Sequence, residues 1–303
     1  MIILPPYLKP KDKVAIVSSA GKISLEKIQP AIKTIESWGL EVVVTPNVGN
    51  NYHRFGATDA QRLHDLQWAF DAQEIKAVFA ARGGYGIIRI IDQLNLRKFT
   101  QHPKWVVGYS DVTVLHSYLH QKTHIPTLHA ELCTNFPADL QPNLATKSLK
   151  NALFGDMQIQ NPTPHPQNRF GRAHGVLVGG NLSILYSLLG SKDFETKNKI
   201  LFIEDISEQY YHIDRMMHSL KRAGKLKNLA GLVVGSFWNM QNPPDNLFGS
   251  SLSEIIFDAV KNEGYPVVFG FEAGHVLQNQ ALVLGAPYRL QVAEEFVSFS
   301  PTF

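Results

Sequence analysis

The sequence predicts an α/β fold: a parallel-sheet domain in the first half, carrying a strand–turn–helix with a serine at its corner, then a mixed α/β domain. Three observations lead there. Short apolar runs alternate with helical stretches over roughly the first 120 residues. Several of these runs end in glycine- or serine-rich turns. The rhythm then breaks in a proline-bearing stretch and resumes.

Residues 13–17 read as a buried strand ending in Ser18-Ser19-Ala20-Gly21. A helix over 25–38 is stopped by Gly39, and 41–44 is a second strand. An amphipathic helix over 59–72 has Thr58 or Asp59 as its N-cap. Residues 77–80 form a third strand, which runs into Arg82-Gly83-Gly84-Tyr85-Gly86; 87–94 read as helical. The fourth strand, 105–107, meets the corner Gly108-Tyr109-Ser110-Asp111, and Val112, Leu115 and Leu119 then fall on one helical face. This block, 1–136, is the expected first domain.

Residues 137–172 hold Pro137, Pro142, Pro162, Pro164 and Pro166 and read as a linker, with one short helical patch over 147–154. The second domain, 173–303, opens with an apolar glycine-bearing strand over 175–180 and a helix over 182–189. Strands over 200–203, 230–235 and 266–270 alternate with helices over 214–223 and 253–262. A closing hairpin is expected between 280–284 and 288–292.

The composition is that of an ordinary globular protein, 44% hydrophobic and 18% charged. A net charge of +3, with no basic block, argues against a nucleic-acid binder. The single cysteine, Cys133, excludes an intramolecular disulfide. Pro5-Pro6 interrupts the start of the chain, no signal-peptide pattern is seen, and no run reaches the roughly 18 apolar residues of a membrane span. The expected location is the cytoplasm.

Several residues are candidates for chemistry. Ser110, in a βα turn, reads as a nucleophile whose oxyanion is served by the Asp111 amide, or as a plain helix N-cap. The G-x-S-x-G pattern is incomplete, because Val112 stands at its second glycine. The three glycines after Arg82 can present bare amides to an anion or form an ordinary turn, but they match no phosphate-binding motif. Glu204 and His275 each follow a strand. They suit an orienting carboxylate and a base, or are simply loop residues. A metal site is the rival: His116 and His120 lie four apart, with His124 and His129 beyond, but H-E-x-x-H is absent. Cys133 reads as buried filler.

Taken in order, these stretches resemble the LD-carboxypeptidase family of serine peptidases, which includes murein tetrapeptide carboxypeptidases and microcin C immunity peptidases. The resemblance rests on Val14-Ala15-Ile16-Val17-Ser18-Ser19, Ala81-Arg82-Gly83-Gly84-Tyr85-Gly86, Gly108-Tyr109-Ser110-Asp111-Val112-Thr113, Gly179-Gly180-Asn181-Leu182-Ser183, Phe202-Ile203-Glu204-Asp205, Asp214-Arg215-Met216 and Gly274-His275. It implies Ser110 as nucleophile, Glu204 as triad carboxylate, His275 as base, and the amides of Gly84 and Asp111 as oxyanion hole. It places the serine on the first domain and the other two on the second, with the active site where the domains meet. Arg82, Tyr85 and Arg215 are candidates for substrate binding. No metal or cofactor is implied. The implied substrate is a small peptide, the murein tetrapeptide, cleaved to release D-alanine in cell-wall recycling. The implied partner is a second copy of the chain, with no nucleic acid and no membrane. A peptidyl-nucleotide substrate of the microcin C type and a non-catalytic peptide- or sugar-binding protein are the alternatives. His129-Ala130-Glu131 stands where the family often shows His-Gly, Val283 where proline is common, and Ser191 where threonine is usual.

Overall fold

A strand covered on both faces needs an unbroken apolar run, and β1 (Lys13–Val17) has one: every residue after Lys13 is buried. In the computed structural model, which describes residues 2–157 and 159–303, β1 opens the first of two compact units. This unit runs to Met157 and also contains Gln278–Leu284. After β1 come α1 (Leu25–Ser37), β2 (Glu41–Val44), α2 (Asp59–Asp71), β3 (Ile75–Ala80), α3 (Arg97–Gln101), β4 (Trp105–Gly108), α4 (Thr113–Thr123), β5 (Thr127–His129) and α5 (Leu144–Phe154). A capping box of Thr58 and Gln61 starts α2.

The second unit contributes β6 (Gly171–Asn181), α6 (Leu182–Ser187), β7 (Ile200–Ile206), α7 (Tyr210–Arg222), β8 (Gly231–Trp238), α8 (Leu252–Val260) and β9 (Val267–Val268). Then β10 (Leu282–Leu284) returns to the first unit, and β11 (Pro287–Val292) and β12 (Val297–Pro301) complete the second. The first sheet has the order β10-β5-β4-β3-β1-β2 and is parallel apart from β10. The second, β12-β11-β6-β7-β8-β9, is parallel from β6 to β9 and antiparallel at β11 and β12. The two-unit α/β architecture is the one expected.

Three local expectations change. The stretch 87–94 is not one helix but two 3₁₀ turns, Ile87–Arg89 and Ile91–Gln93. Gly86, at φ +143°, starts the first, and the Ile87 amide goes to the Asp111 side chain. Residues 144–154 are not linker but the helix α5, started by an Asn143–Thr146 capping box and closed by left-handed Gly155. Its Leu153 carbonyl accepts from Leu8 N at 2.8 Å, so it belongs to the first unit. The closing hairpin does not form. β10 lies antiparallel to β5, with Val283 opposite Leu128, whereas β11 pairs with β6 and β12. Gly285, at φ +88°, donates to Leu177 O at 2.7 Å, which commits the chain beyond β10 to β6.

Candidate active site

The serine corner is built by a glycine. A Cβ on Gly108 would lie 2.9 Å from Val112 Cγ2 and 3.1 Å from Ala80 Cβ, so only glycine lets β4 turn there. Two residues on, Ser110 has φ +65°, the left-handed region that costs a non-glycine residue of order 1–3 kcal/mol. It opens a 3₁₀ turn, Ser110–Val112, that leads into α4. The Ser110 side chain caps neither helix, so the N-cap reading does not describe it.

The glycine turn after β3 lies against this corner. A Cβ on Gly83 would sit 3.0 Å from Ser110 Cβ and 3.1 Å from Ser110 Oγ. The Gly83 carbonyl accepts from Gly21 N at 3.0 Å, and Gly84 has φ +108°. Asp111 is buried, and its Oδ2 accepts from Ile87 N at 3.0 Å, so its side chain ties the glycine turn to the serine turn. Burial pushes the Asp111 carboxyl up, against the opposing pull of the Ile87 and Gly86 amides and the Arg62 charge. Arg62 is itself buried. It donates to Ser19 O and to Asp59 Oδ1, and its guanidinium fills the space a side chain at Gly86 would need. Tyr109 accepts from Asn135 Nδ2 at 2.6 Å.

The second unit brings Glu204 and His275 together. Glu204, at the end of β7, is fully buried, and its Oε2 is 2.7 Å from His275 Nδ1. The His275 side chain is 14% exposed, so an edge of the ring reaches solvent. Gly274 makes the approach possible. It has φ +111°, and a Cβ there would lie 2.6 Å from Glu204 Oε2. The loop is anchored by Ser236 N to Ala273 O at 2.9 Å and Phe271 N to Val234 O at 3.1 Å. The next residue, Asp205, has a different task. It accepts from Asn181 Nδ2, Ser183 N and Ile206 N at 2.8–3.0 Å, tying the end of β6 to the start of α6. Burial first, and the Glu204 charge second, raise its pKa to about 7.

The remaining candidates are dispersed. Arg82 is exposed beside the glycine turn and donates to Lys22 O at 2.8 Å. Tyr85 is exposed, with its ring 6.0 Å from that of Phe55 and the Arg54 guanidinium over it. Arg215 lies on the exposed side of α7, over the Tyr211 ring. His116 is buried with Nε2 2.8 Å from Gly108 O, and burial lowers its pKa to about 4. His129 sits near Tyr109 and His116, whereas His124 ends α4 in a left-handed conformation. Among the described residues no three His, Cys, Asp or Glu side chains gather as a metal site. Burial pushes the Cys133 thiol up, away from thiolate chemistry. Glu131, where the family pattern differs, is buried and accepts from Asn279 Nδ2 at 2.8 Å. Sequence reasoning missed the Asp205–Asn181 tie and the Arg62–Asp59 pair, and no sequence pattern announces either.

The amino-terminal domain model of the LD-carboxypeptidase family matches residues 14–130, and its carboxy-terminal domain model matches 174–290. A probable murein peptide carboxypeptidase of Bacillus subtilis is 35% identical over 297 residues, covering 96% of this chain and 92% of its own. The crystal structure of a muramoyltetrapeptide carboxypeptidase from Oxalobacter formigenes is similar at a TM-score of 0.87 and 26% identity, covering 96% of this chain and 99% of that one. A microcin C7 self immunity protein in complex with aspartyl sulfamoyl adenosine gives a TM-score of 0.85 at 18% identity, over 99% of both chains, a likeness of fold. With both family domains in order and a relative 35% identical along nearly its whole length, the chain belongs to the LD-carboxypeptidase family of serine peptidases.

Proposed function

We propose that Ser110, Glu204 and His275 act as one catalytic triad that releases the terminal D-alanine of the murein tetrapeptide by cleaving its LD peptide bond. The observation that carries the reading is the 2.7 Å Glu204–His275 contact in a chain of this family. It is supported by the left-handed Ser110 at a strand–turn–helix corner.

With Nδ1 held by Glu204, Nε2 is the imidazole nitrogen left to carry the proton in transit. His275 takes the Ser110 proton as Oγ bonds to the scissile carbonyl carbon. The carbonyl electrons move to oxygen, where the Gly84 and Asp111 amides receive the negative charge; each such donor is typically worth about 2.7–4 kcal/mol. The tetrahedral adduct collapses, the C–N bond breaks, and the imidazolium returns its proton to the leaving amine. A water deprotonated by His275 then attacks the acyl carbon, and Ser110 leaves with that proton. Glu204 holds the ring in the required tautomer and stabilises its charged form. Arg82 is the candidate for the terminal carboxylate, because it flanks the glycine turn. Arg215 is the weaker candidate, since the contact it shows is with Tyr211.

The alternative peptidyl-nucleotide substrate rests on a likeness of fold at 18% identity. Among the described residues no helix is long and apolar enough to cross a membrane. We take the enzyme to act in the cytoplasm and as a homodimer, both read from the family; sedimentation in solution tests the second. The deciding experiment incubates the protein with L-Ala-γ-D-Glu-meso-diaminopimelate-D-Ala and follows free D-alanine by mass spectrometry. Release is expected to vanish in Ser110→Ala and to survive a chelator. No release from folded protein would refute the substrate.

A further inference from the structure

Resting on that reading, we propose that the groove beside the glycine turn of the first unit is an anion subsite, in which Lys22 and Lys27 bind a substrate carboxylate remote from the scissile bond. Open α/β sheets bind ligands outside the carboxyl ends of their strands, where the strand order reverses. In the first sheet that place is β1, which lies between β2 and β3. A groove of about 640 Å³ opens there. Lys22 and Ser24 come from the loop after β1, Asn50 from the loop after β2, and Arg82 from the turn after β3. The Gly21–Gly83 hydrogen bond and the Arg82–Lys22 hydrogen bond hold two of these loops together.

One end of the groove abuts the serine corner. Arg82 directly precedes Gly83, the residue against Ser110, and Asn135 in the lining donates to Tyr109. The charge is of one sign: among the described residues Lys22, Lys27 and Arg82 line the groove and no acid does. Among the described residues none of the three forms an ion pair with a carboxylate. An open groove lined by three cations with no carboxylate partner selects an anion.

The tetrapeptide offers three carboxylates. The terminal one is a single residue from the scissile carbonyl, and Arg82, which directly precedes the Gly83 that lies against Ser110, is the candidate for it. Lys22 and Lys27 line the same groove from the β1 loop and α1, and the Lys22 carbonyl accepts from Arg82 at 2.8 Å. With the terminal carboxylate assigned to Arg82, the carboxylates left for the lysines are those of the isoglutamyl residue and of the far end of the diaminopimelate side chain. Both present the same chemistry, and substrates lacking one or the other separate them.

The test measures kcat and KM for the native protein, Lys22→Gln, Lys27→Gln and the double variant. The substrates are the full tetrapeptide, its D-isoglutamine analogue and its L-lysine analogue, which lacks the second diaminopimelate carboxylate. The native protein is expected to favour the full acid over one analogue by about 1.5- to fivefold, through KM, as for exposed charge pairs. The double variant should bring that ratio to about one, and Lys27→Glu should invert it. Both lysines are exposed, so the variants fold. A native ratio of one for both analogues overturns the subsite, as does equal weakening of all three peptides by the lysine changes. If the native protein cleaves none of them, the proposed function fails and takes the subsite with it. Cleavage without charge discrimination removes the subsite alone.

Discussion

Replacing Gly274 by alanine tests how Glu204 holds His275. The residue has φ +111°, where an L side chain is strained, at a cost of about 1–3 kcal/mol. The added Cβ would lie 2.6 Å from Glu204 Oε2 and 2.8 Å from Glu204 Cβ and Cγ, whereas ordinary contact begins at 3.4 Å. Glu204 is fully buried on β7, so it has no open space to retreat into. Either its carboxylate rotates or the 270–276 loop moves and carries His275 with it. Both lengthen the 2.7 Å bond to Nδ1.

The proposed triad turns that geometry into a rate. Losing the orienting carboxylate in a Ser–His–Asp enzyme costs about 10⁴ in kcat. Gly274→Ala displaces the carboxylate without removing it, so kcat for D-alanine release is expected to fall by about 10²–10⁴, with a smaller change in KM. Thermal unfolding followed in parallel should show a loss of about 1–3 kcal/mol, with a cooperative transition retained. Glu204→Gln should reach the lower activity without the strain. A folded Gly274→Ala protein with kcat within about threefold of native would refute the orienting role of the contact.

Other consequences follow from local geometry. Gly83→Ala places a methyl 3.0–3.1 Å from Ser110 Cβ and Oγ; kcat should drop by about 10²-fold with little change in melting temperature, and unchanged kcat would count against Ser110 as nucleophile. Asn279→Ala removes a buried bond to Glu131 and should cost about 1.5–3 kcal/mol in denaturant unfolding; a loss below about 0.5 kcal/mol would show that bond to be dispensable. Lys104 Nζ donates to Ala69 O and Ala72 O at the end of α2, and burial lowers its pKa from 10.5 to about 8. Between those values the folded chain binds fewer protons than the unfolded one, so Lys104 makes stability rise with pH, by at most about 3 kcal/mol. Urea titrations from pH 7.5 to 10.5 should show that rise diminished in Lys104→Met, and identical profiles would remove Lys104 as its source.

The βαβ order was legible because β1 and β3 are apolar along nearly their whole length, as strands buried on both faces must be. β5 was not, since Thr127-Leu128-His129 is too short and too polar to announce a strand, and its place is fixed by pairing to β4. The partner of β10 was equally hidden: an apolar triplet followed by Gly285 reads the same for a hairpin as for a return to another sheet. In the site, Glu204 and Asp205 are adjacent acids whose tasks no composition separates. Neighbouring strand residues point to opposite faces, which sends Glu204 to His275 and Asp205 to Asn181. The glycines were visible as glycines. Which atom each one makes room for was not, because that atom lies far away in sequence, as Glu204 does from Gly274.

A left-handed serine is not by itself a nucleophile, and this chain supplies its own control. Ser207, at φ +59°, is as left-handed as Ser110 and also follows a strand carrying a candidate residue. The surroundings differ. Ser207 is exposed, its hydroxyl accepts from Asn239 Nδ2 at 3.0 Å, and its amide donates to Trp238 O, so its conformation is that of a surface turn held locally. Ser110 opens a 3₁₀ turn that leads into α4, with buried Tyr109 and Asp111 on either side and Gly83 against its hydroxyl. Strain at Ser110 is therefore imposed by packing, as a positioned reactive group requires, whereas at Ser207 it comes with the turn. Ser207→Ala should leave kcat and KM for D-alanine release within about twofold of native, and Ser110→Ala should lower kcat by at least about 10⁴-fold. Comparable losses from the two substitutions would show that the serine chemistry had been assigned from backbone geometry that does not discriminate.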